Sequence, residues 1–379
     1  MKKLLLILFC SAALFPLSAQ KGKVTSASLA LETGDYLKAK EYIDVATVHP
    51  ESSLMSRTWR VRGEVYTGIF ESKIFLAKAP DALFQASTAY QKACELEINP
   101  KKREEMITGF GNVGIYLFQD GVAKFQEGVY GEAYVYLDES RKVNKFMVEN
   151  NLTKDLDTNY ILITAYAAQN IKKYDVAMEL YRQLYAMRAE NETVYSNLAD
   201  LLLLDEKNEA EALEVISTGR KLFPNDKNLI ISELNFYLKK GKASDITDKL
   251  ENAIIADPSN SALYFALGTA YDQLKDYVKA KDAYLQAIAK NPEYYDAYFN
   301  LGAMYYNQAV EINRQMNNVP DSDMKTFKKL EGERNVLYNQ ALPYLEKSHQ
   351  LNPDGKDSKV ALKEIYARMS MFDKLKELE

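Results

Sequence analysis

Between residues 261 and 293 the apolar positions advance in steps of three and four, and then the pattern starts again. Large side chains stand at Tyr264, Leu267, Tyr271 and Tyr284, small ones at Gly268, Ala280 and Ala287, and Pro292 closes the stretch. Tyr298, Leu301, Gly302 and Tyr305 open the next copy in phase. Steps of three and four put such residues on one face of an amphipathic helix. Each copy therefore predicts two helices: one through 264–271, a second through 280–287, and a proline that the second cannot run past. Small residues allow the two backbones to approach, and the rings fill the space between neighbouring pairs.

The residue types and their spacing resemble the tetratricopeptide repeat, W-x2-L-G-x2-Y…A-x3-F…P at a 34-residue period. Pro224, Pro258 and Pro292 keep that period (258 − 224 = 292 − 258 = 34). The resemblance implies an all-α fold, an α-solenoid of about eight helix-turn-helix repeats forming a right-handed superhelix, because one pair cannot bury its own apolar face. Residues 227–260 hold the register with Tyr237, Gly241, Leu250, Ala253 and Pro258. Residues 193–226 hold it at Ala212, Ile216, Gly219 and Pro224, with one extra residue in the turn DEKNEA. Upstream the copies loosen: 159–191, then 113–145 with Gly121 and Gly128, then 56–100 with Trp59, Gly63 and Tyr90, and a degenerate unit around Gly34. The copy at 56–100 carries about 11 extra residues around FESKIFLAKAPD, counted against the usual period. The reading is thus divergent repeats over 23–190, a regular array over 191–355 and capping helices over 356–379. NNLTKDLD, 150–157, is the alternative place for a boundary.

One copy is interrupted. The next proline is due at position 326, where Thr326 stands, and the equivalent residue is Pro353, so 27 residues are added (353 − 292 = 61 = 34 + 27). The insertion falls at about 308–335. Leu301, Tyr305, Ala309, Ile312 and Met316 carry the first helix's apolar stripe onward, and Phe327, Leu330, Leu337, Ala341 and Tyr344 do the same for the second. Both helices are expected to lengthen, by about 13 residues or ~20 Å each. NNVPDSDMK (317–325) becomes the tip of a projecting hairpin. Pro320 stops the first helix, Asp321 or Ser322 caps the second, and Pro343 is expected to kink or interrupt it. Pro320, Lys325, Lys328 and Lys329 are the candidate contacts of a hairpin that docks a partner or a second copy; the alternative is a longer repeat that braces its neighbours.

In tetratricopeptide proteins the first helix of each repeat lines a concave groove. Carrying those positions over gives Asn235, Phe265, Thr269, Asp296, Phe299, Asn300 and Tyr306 as a candidate groove. Aromatic anchors with amides suit an extended or helical peptide, the rings giving apolar contact and the amides bonding its backbone. The same rings serve equally well as packing between helices. The family's carboxylate clamp is excluded, since Ile231 and Phe265 occupy places that need polar or basic groups.

Composition narrows the function. Apolar residues make up 47% and charged residues 27%, a folded composition, and the net charge of −5 is no nucleic-acid footprint. The two histidines, His49 and His349, lie in different repeats, and no metal, phosphate-loop or nucleophile motif is present. GFGNVG, at 109–114, lacks the Lys-Ser/Thr of a phosphate loop and sits in a helical pattern. No cofactor, metal site or enzymatic role is expected. MKKLLLILFCSAALFPLSA, residues 1–19, has the basic start, apolar run and small-residue end of a cleaved signal peptide. Export implies the periplasm or envelope of a Gram-negative bacterium and leaves Cys94 as the single thiol, expected to be an inert core residue. The leading reading is a non-enzymatic exported scaffold for protein or peptide partners. The alternative is an accessory protein for carbohydrate or nutrient uptake, whose rings stack on sugars.

Overall fold

The computed structural model describes residues 15–153 and 157–378. The predicted leader lies outside the described residues as far as position 14, as does part of the 150–157 stretch. Among the described residues the regular structure is helical throughout, with no strand. The chain divides into two compact units, Met1–Ala189 and Glu190–Glu379.

The first unit holds α1 (Phe15–Glu32), α2 (Tyr36–Val48), α3 (Ser56–Ser72), α4 (Ala82–Leu96), α5 (Pro100–Gln126), α6 (Tyr130–Glu149), α7 (Thr158–Asn170) and α8 (Tyr174–Ala186). Each odd-numbered helix pairs with its successor, and successive pairs stack. Gly34 (φ +75) and Gly128 (φ +78) make the left-handed turns at α1–α2 and α5–α6 that end helices at low cost. The extra residues after α3 form a short 3-10 turn at Leu76–Lys78. YVYL, which alternates like a strand, is helical within α6. The repeat expected to begin at Val113 starts earlier. Asn99 caps the Lys102 amide, Pro100 occupies the first turn, and α5 then runs for 27 residues. Nothing between Lys101 and Gln126 breaks its apolar face, so Met106, Ile107, Phe110, Val113 and Leu117 are all buried.

Glycines let this unit close. The Tyr90 ring of α4 lies between Gly63 of α3 and Gly109 of α5, where an added Cβ would come within 2.8 Å and 2.7 Å of it. Cys94, on the same helix, is buried. Burial pushes its thiol up to about 11. A raised thiol pKa favours the protonated form in the fold, so this stabilisation is full below the unfolded value of about 9 and is lost as pH rises towards 11. Cys94 is expected to resist Ellman's reagent at pH 8 in the native protein and to react at once in denaturant; rapid native labelling would contradict the burial.

The second unit holds α9 (Glu192–Leu202), α10 (Glu209–Leu222), α11 (Lys227–Lys239), α12 (Ala243–Ala256), α13 (Ser261–Gln273), α14 (Tyr277–Lys290), α15 (Tyr295–Asn317), α16 (Met324–Leu351), α17 (Lys356–Arg368) and α18 (Phe372–Glu377). Pro224, Pro258, Pro292 and Pro353 all fall in the turns that follow the second helix of a pair. Asp226 and Asn260 then cap the next helix by accepting from the amides of Leu229 and Ala262. The extra residue in DEKNEA is taken up by a 3-10 turn at Glu206–Asn208. Gly268 faces Tyr284 and Gly302 faces Leu345, each with room for no Cβ: the nearest ring or side-chain carbon would lie 2.6 Å away in both cases. The core continues through Leu301, Tyr305 and Tyr338 to Leu362 and Ile365 of α17, which closes the end of the stack.

The insertion lengthens one helical pair. α15 has 23 residues and α16 has 28, against 13 and 14 for α13 and α14. Two expectations need correction. The cap of α16 is Asp323, which accepts from the Thr326 amide, rather than Asp321 or Ser322. Pro343 does not interrupt α16, which is continuous from Met324 to Leu351. The ring faces solvent, and so does Asn339, one turn earlier, whose carbonyl loses its partner. An exposed carbonyl is open to solvent, which lowers the usual cost of an interior proline.

Candidate partner-binding surfaces

The groove residues differ in their surroundings. Phe265 is only 8% exposed and packs on Tyr294 and Tyr284, with ring centroids 5.1 Å and 6.1 Å away. It is a core side chain, not an anchor waiting for a partner. The Thr269 hydroxyl donates to the Phe265 carbonyl (3.1 Å) and accepts from Tyr284 (3.3 Å). Asp296 accepts from Lys227 Nζ at 2.7 Å, and that ammonium also lies 4.5 Å from the Tyr294 centroid. Since Lys227 opens α11 and Asp296 opens α15, this pair reaches past α13 and ties Asp296 into the fold. Tyr306 donates its hydroxyl to Glu364 of α17 and stacks on Tyr338 with centroids 6.3 Å apart. Burial first, then the Glu364 carboxylate, holds its phenol well above the usual range. Asn235 is exposed, and Phe299 and Asn300 are half-buried. Phe299 also packs, partly buried, against the core of the second unit.

The hairpin is built differently. Its interior is polar and closed. Arg334, 8% exposed, bonds Asn335 Oδ1 from Nε (3.1 Å) and Nη2 (2.9 Å), and reaches Asn313 Oδ1 at 3.4 Å. Asn313 in turn donates to the hydroxyl of the fully buried Tyr338 at 2.8 Å. A buried guanidinium satisfied in this way fixes the register of the two helices. Its tip is open: Pro320, Lys325, Lys328 and Lys329 are all exposed. Lys329 pairs with Glu333 at 3.7 Å, an exposed contact of little energetic weight, while Lys325 and Lys328 make no ion pair among the described residues.

A third feature was missed in the sequence. α11 packs more extensively on α13 than on its own partner α12. The signal is Leu234, buried at the place in its copy where Gly268 and Gly302 stand in the following two. A leucine there leaves less room for a close crossing than glycine does, and a cleft of about 400 Å³ lies between α10, α11 and α12. Leu213, Ile216 and Tyr237 form its apolar part, and Arg220, Lys221, Lys249 and Glu233 its charged part. Glu233 accepts from Arg220 Nε and from Lys249 Nζ, both at 3.1 Å.

Among the described residues, no group of three or more His, Cys, Asp and Glu is placed to hold a metal ion. No helix there is long and apolar enough to cross a membrane.

Models of the tetratricopeptide repeat match residues 261–294 and 283–316. The chain is 26% identical over 244 residues to the BBSome complex member BBS4 of Bos taurus, a stretch covering 64% of this chain and 42% of that protein. The match therefore spans less than half of that relative's length. Among solved structures, the human IFIT1 dimer with m7Gppp-AAAA is similar at 14% identity and TM-score 0.41, over 84% of this chain and 67% of that one. TTC0263, a thermophilic TPR protein of Thermus thermophilus, is similar at 16% identity and TM-score 0.35, over 48% of this chain and 94% of that one. At these scores neither structure bears on function. The chain carries tetratricopeptide repeats, and its fold is an all-α array of stacked helical pairs.

Proposed function

We propose that this protein is a non-enzymatic scaffold that holds protein or peptide partners, exported to the bacterial envelope, with the α15–α16 hairpin as its docking arm. The observation that carries the reading is the contrast within that hairpin: a closed, hydrogen-bonded interior beneath a solvent-facing tip. Ten extra residues in α15 (23 − 13) and fourteen in α16 (28 − 14) extend this pair by roughly 15–20 Å at 1.5 Å per residue. Such an arm exposes contact area without drawing on the core of its neighbours. Repeat-type folds serve mainly as binding surfaces, and the curated relative is itself a member of a complex. That relative is bovine, so the envelope location rests on the pattern of residues 1–19 alone.

Affinity purification from native membranes and periplasm, followed by mass spectrometry, tests the reading. A variant lacking residues 313–333, and independently the full chain with Lys325→Glu, Lys328→Glu and Lys329→Glu, is expected to lose its principal partners. The charge-reversed chain alters only exposed side chains and is expected to keep its thermal midpoint. Unchanged partner and assembly profiles from both variants would remove the docking role. The sugar-stacking alternative finds less support, since Phe265 is in the core and Tyr306 is bound to Glu364.

A further inference from the structure

The cleft between α10, α11 and α12 has a chemistry of its own. Its lining carries three cations, Arg220, Lys221 and Lys249, against one carboxylate, Glu233. Arg220 and Glu233 are each only 16% exposed along their side chains, so this pair forms a partly desolvated wall rather than a solvated rim. Arg220 also donates to the Pro224 carbonyl, which holds the guanidinium in place. Lys249 is spread over the Tyr237 ring at 4.8 Å and donates to Glu233 as well. Lys221 is exposed and makes no ion pair among the described residues. Beside these charges lie Leu213, Ile216 and the Tyr237 ring. At about 400 Å³ the cleft is at the small end of ligand sites, room for a few side chains rather than a helix.

We propose that this cleft binds an acidic segment of a partner protein, a glutamate or aspartate side chain between Lys221 and Lys249 with an adjacent aliphatic residue on Leu213, Ile216 and Tyr237. Two positive charges remain after Glu233 is counted, and an incoming carboxylate is the group that complements them. Glu233 is then an internal competitor: it occupies Arg220 and Lys249 when the cleft is empty. A neutral apolar ligand would leave the cations without a counter-charge, and a polyanion such as nucleic acid is larger than the cleft. The proposal rests on the scaffold reading only in taking the ligand to be a protein segment. Its test uses synthetic peptides and no hairpin contact, so either can fail without the other.

The test is fluorescence anisotropy of the purified full chain with a fluorescein-labelled hexapeptide of alternating leucine and glutamate, and with its glutamine counterpart. Saturable binding is expected for the glutamate peptide, about tenfold weaker for the glutamine peptide. Lys221→Ala combined with Lys249→Ala is expected to weaken binding about fivefold, with little effect on folding because both side chains are largely exposed. Glu233→Gln is expected to tighten it about threefold by releasing Arg220 and Lys249. A purely structural role for Glu233 predicts lost stability and no gain in affinity. Equal binding of the two peptides, no saturation, or indifference to the lysine substitutions would overturn the proposal.

Discussion

Gly268→Val is expected to destabilise the second unit by about 3 kcal/mol, the upper end of what overpacking costs, and to broaden or split its unfolding transition. An added Cβ would lie 2.6 Å from the Tyr284 ring. That ring cannot swing away: it is fully buried, its hydroxyl is bonded to Thr269, and Phe265 packs beside it. The two helices must therefore separate. In a stacked array each pair buries its apolar face against its neighbours, so the loss passes along the stack. Gly332→Ala is the internal control. Gly332 lies inside α16 with nothing within 4 Å of an added Cβ, and the substitution is expected to stabilise by about 1 kcal/mol through helix propensity alone. Urea unfolding followed by circular dichroism measures both. Two substitutions in helical glycines with opposite signs are the outcome; equal effects would mean that the close crossing of α13 and α14 is not what holds this pair together.

Tyr338→Ala is expected to cost about 3–5 kcal/mol, as for other large buried rings, with the loss concentrated in the hairpin. Tyr338 is fully buried where the extension leaves the stack. Its ring stacks on Tyr306, the Arg334 guanidinium lies 5.8 Å from its centroid, and its hydroxyl accepts from Asn313. Removing it opens a cavity and unmoors the buried arginine. Native-state hydrogen exchange is expected to show lost protection across residues 309–338 while α13 and α14 keep theirs. Tyr338→Phe keeps the ring and removes one hydrogen bond, so about 1 kcal/mol is expected. Protection lost uniformly across the second unit in Tyr338→Ala would show instead that the hairpin is a brace for its neighbours.

How much of this was legible in the sequence follows from what each residue type is constrained by. The helical pairs were legible because a glycine such as Gly302 and a proline such as Pro292 are demanded by backbone geometry, which the sequence states directly. The lengthened pair was legible for the same reason: the apolar stripe simply continued past its usual end. The cap at Asp323 was misplaced by a residue or two because Asp321, Ser322 and Asp323 are all competent caps, and only the tip's turn selects among them. That Pro343 does not interrupt α16 is not legible, because solvent exposure, which the sequence does not state, decides what a proline costs. The groove was least legible. A ring on the first helix of a repeat has the same spacing whether it meets a partner or the next helix, and for Phe265 and Tyr306 the next helices meet them. Leu234, a large residue where its neighbours carry glycine, is a local signal for the changed packing of α11.

The central claim, that the hairpin tip meets a partner, is tested most directly by photo-crosslinking in intact cells. A benzophenone amino acid is placed at Lys328 on the tip and, as control, at the exposed Val360 of α17. The account predicts one dominant protein adduct from position 328, absent from position 360 and abolished by Lys325→Glu with Lys329→Glu. The same weak adduct pattern from both positions, unaffected by the charge reversals, would contradict it.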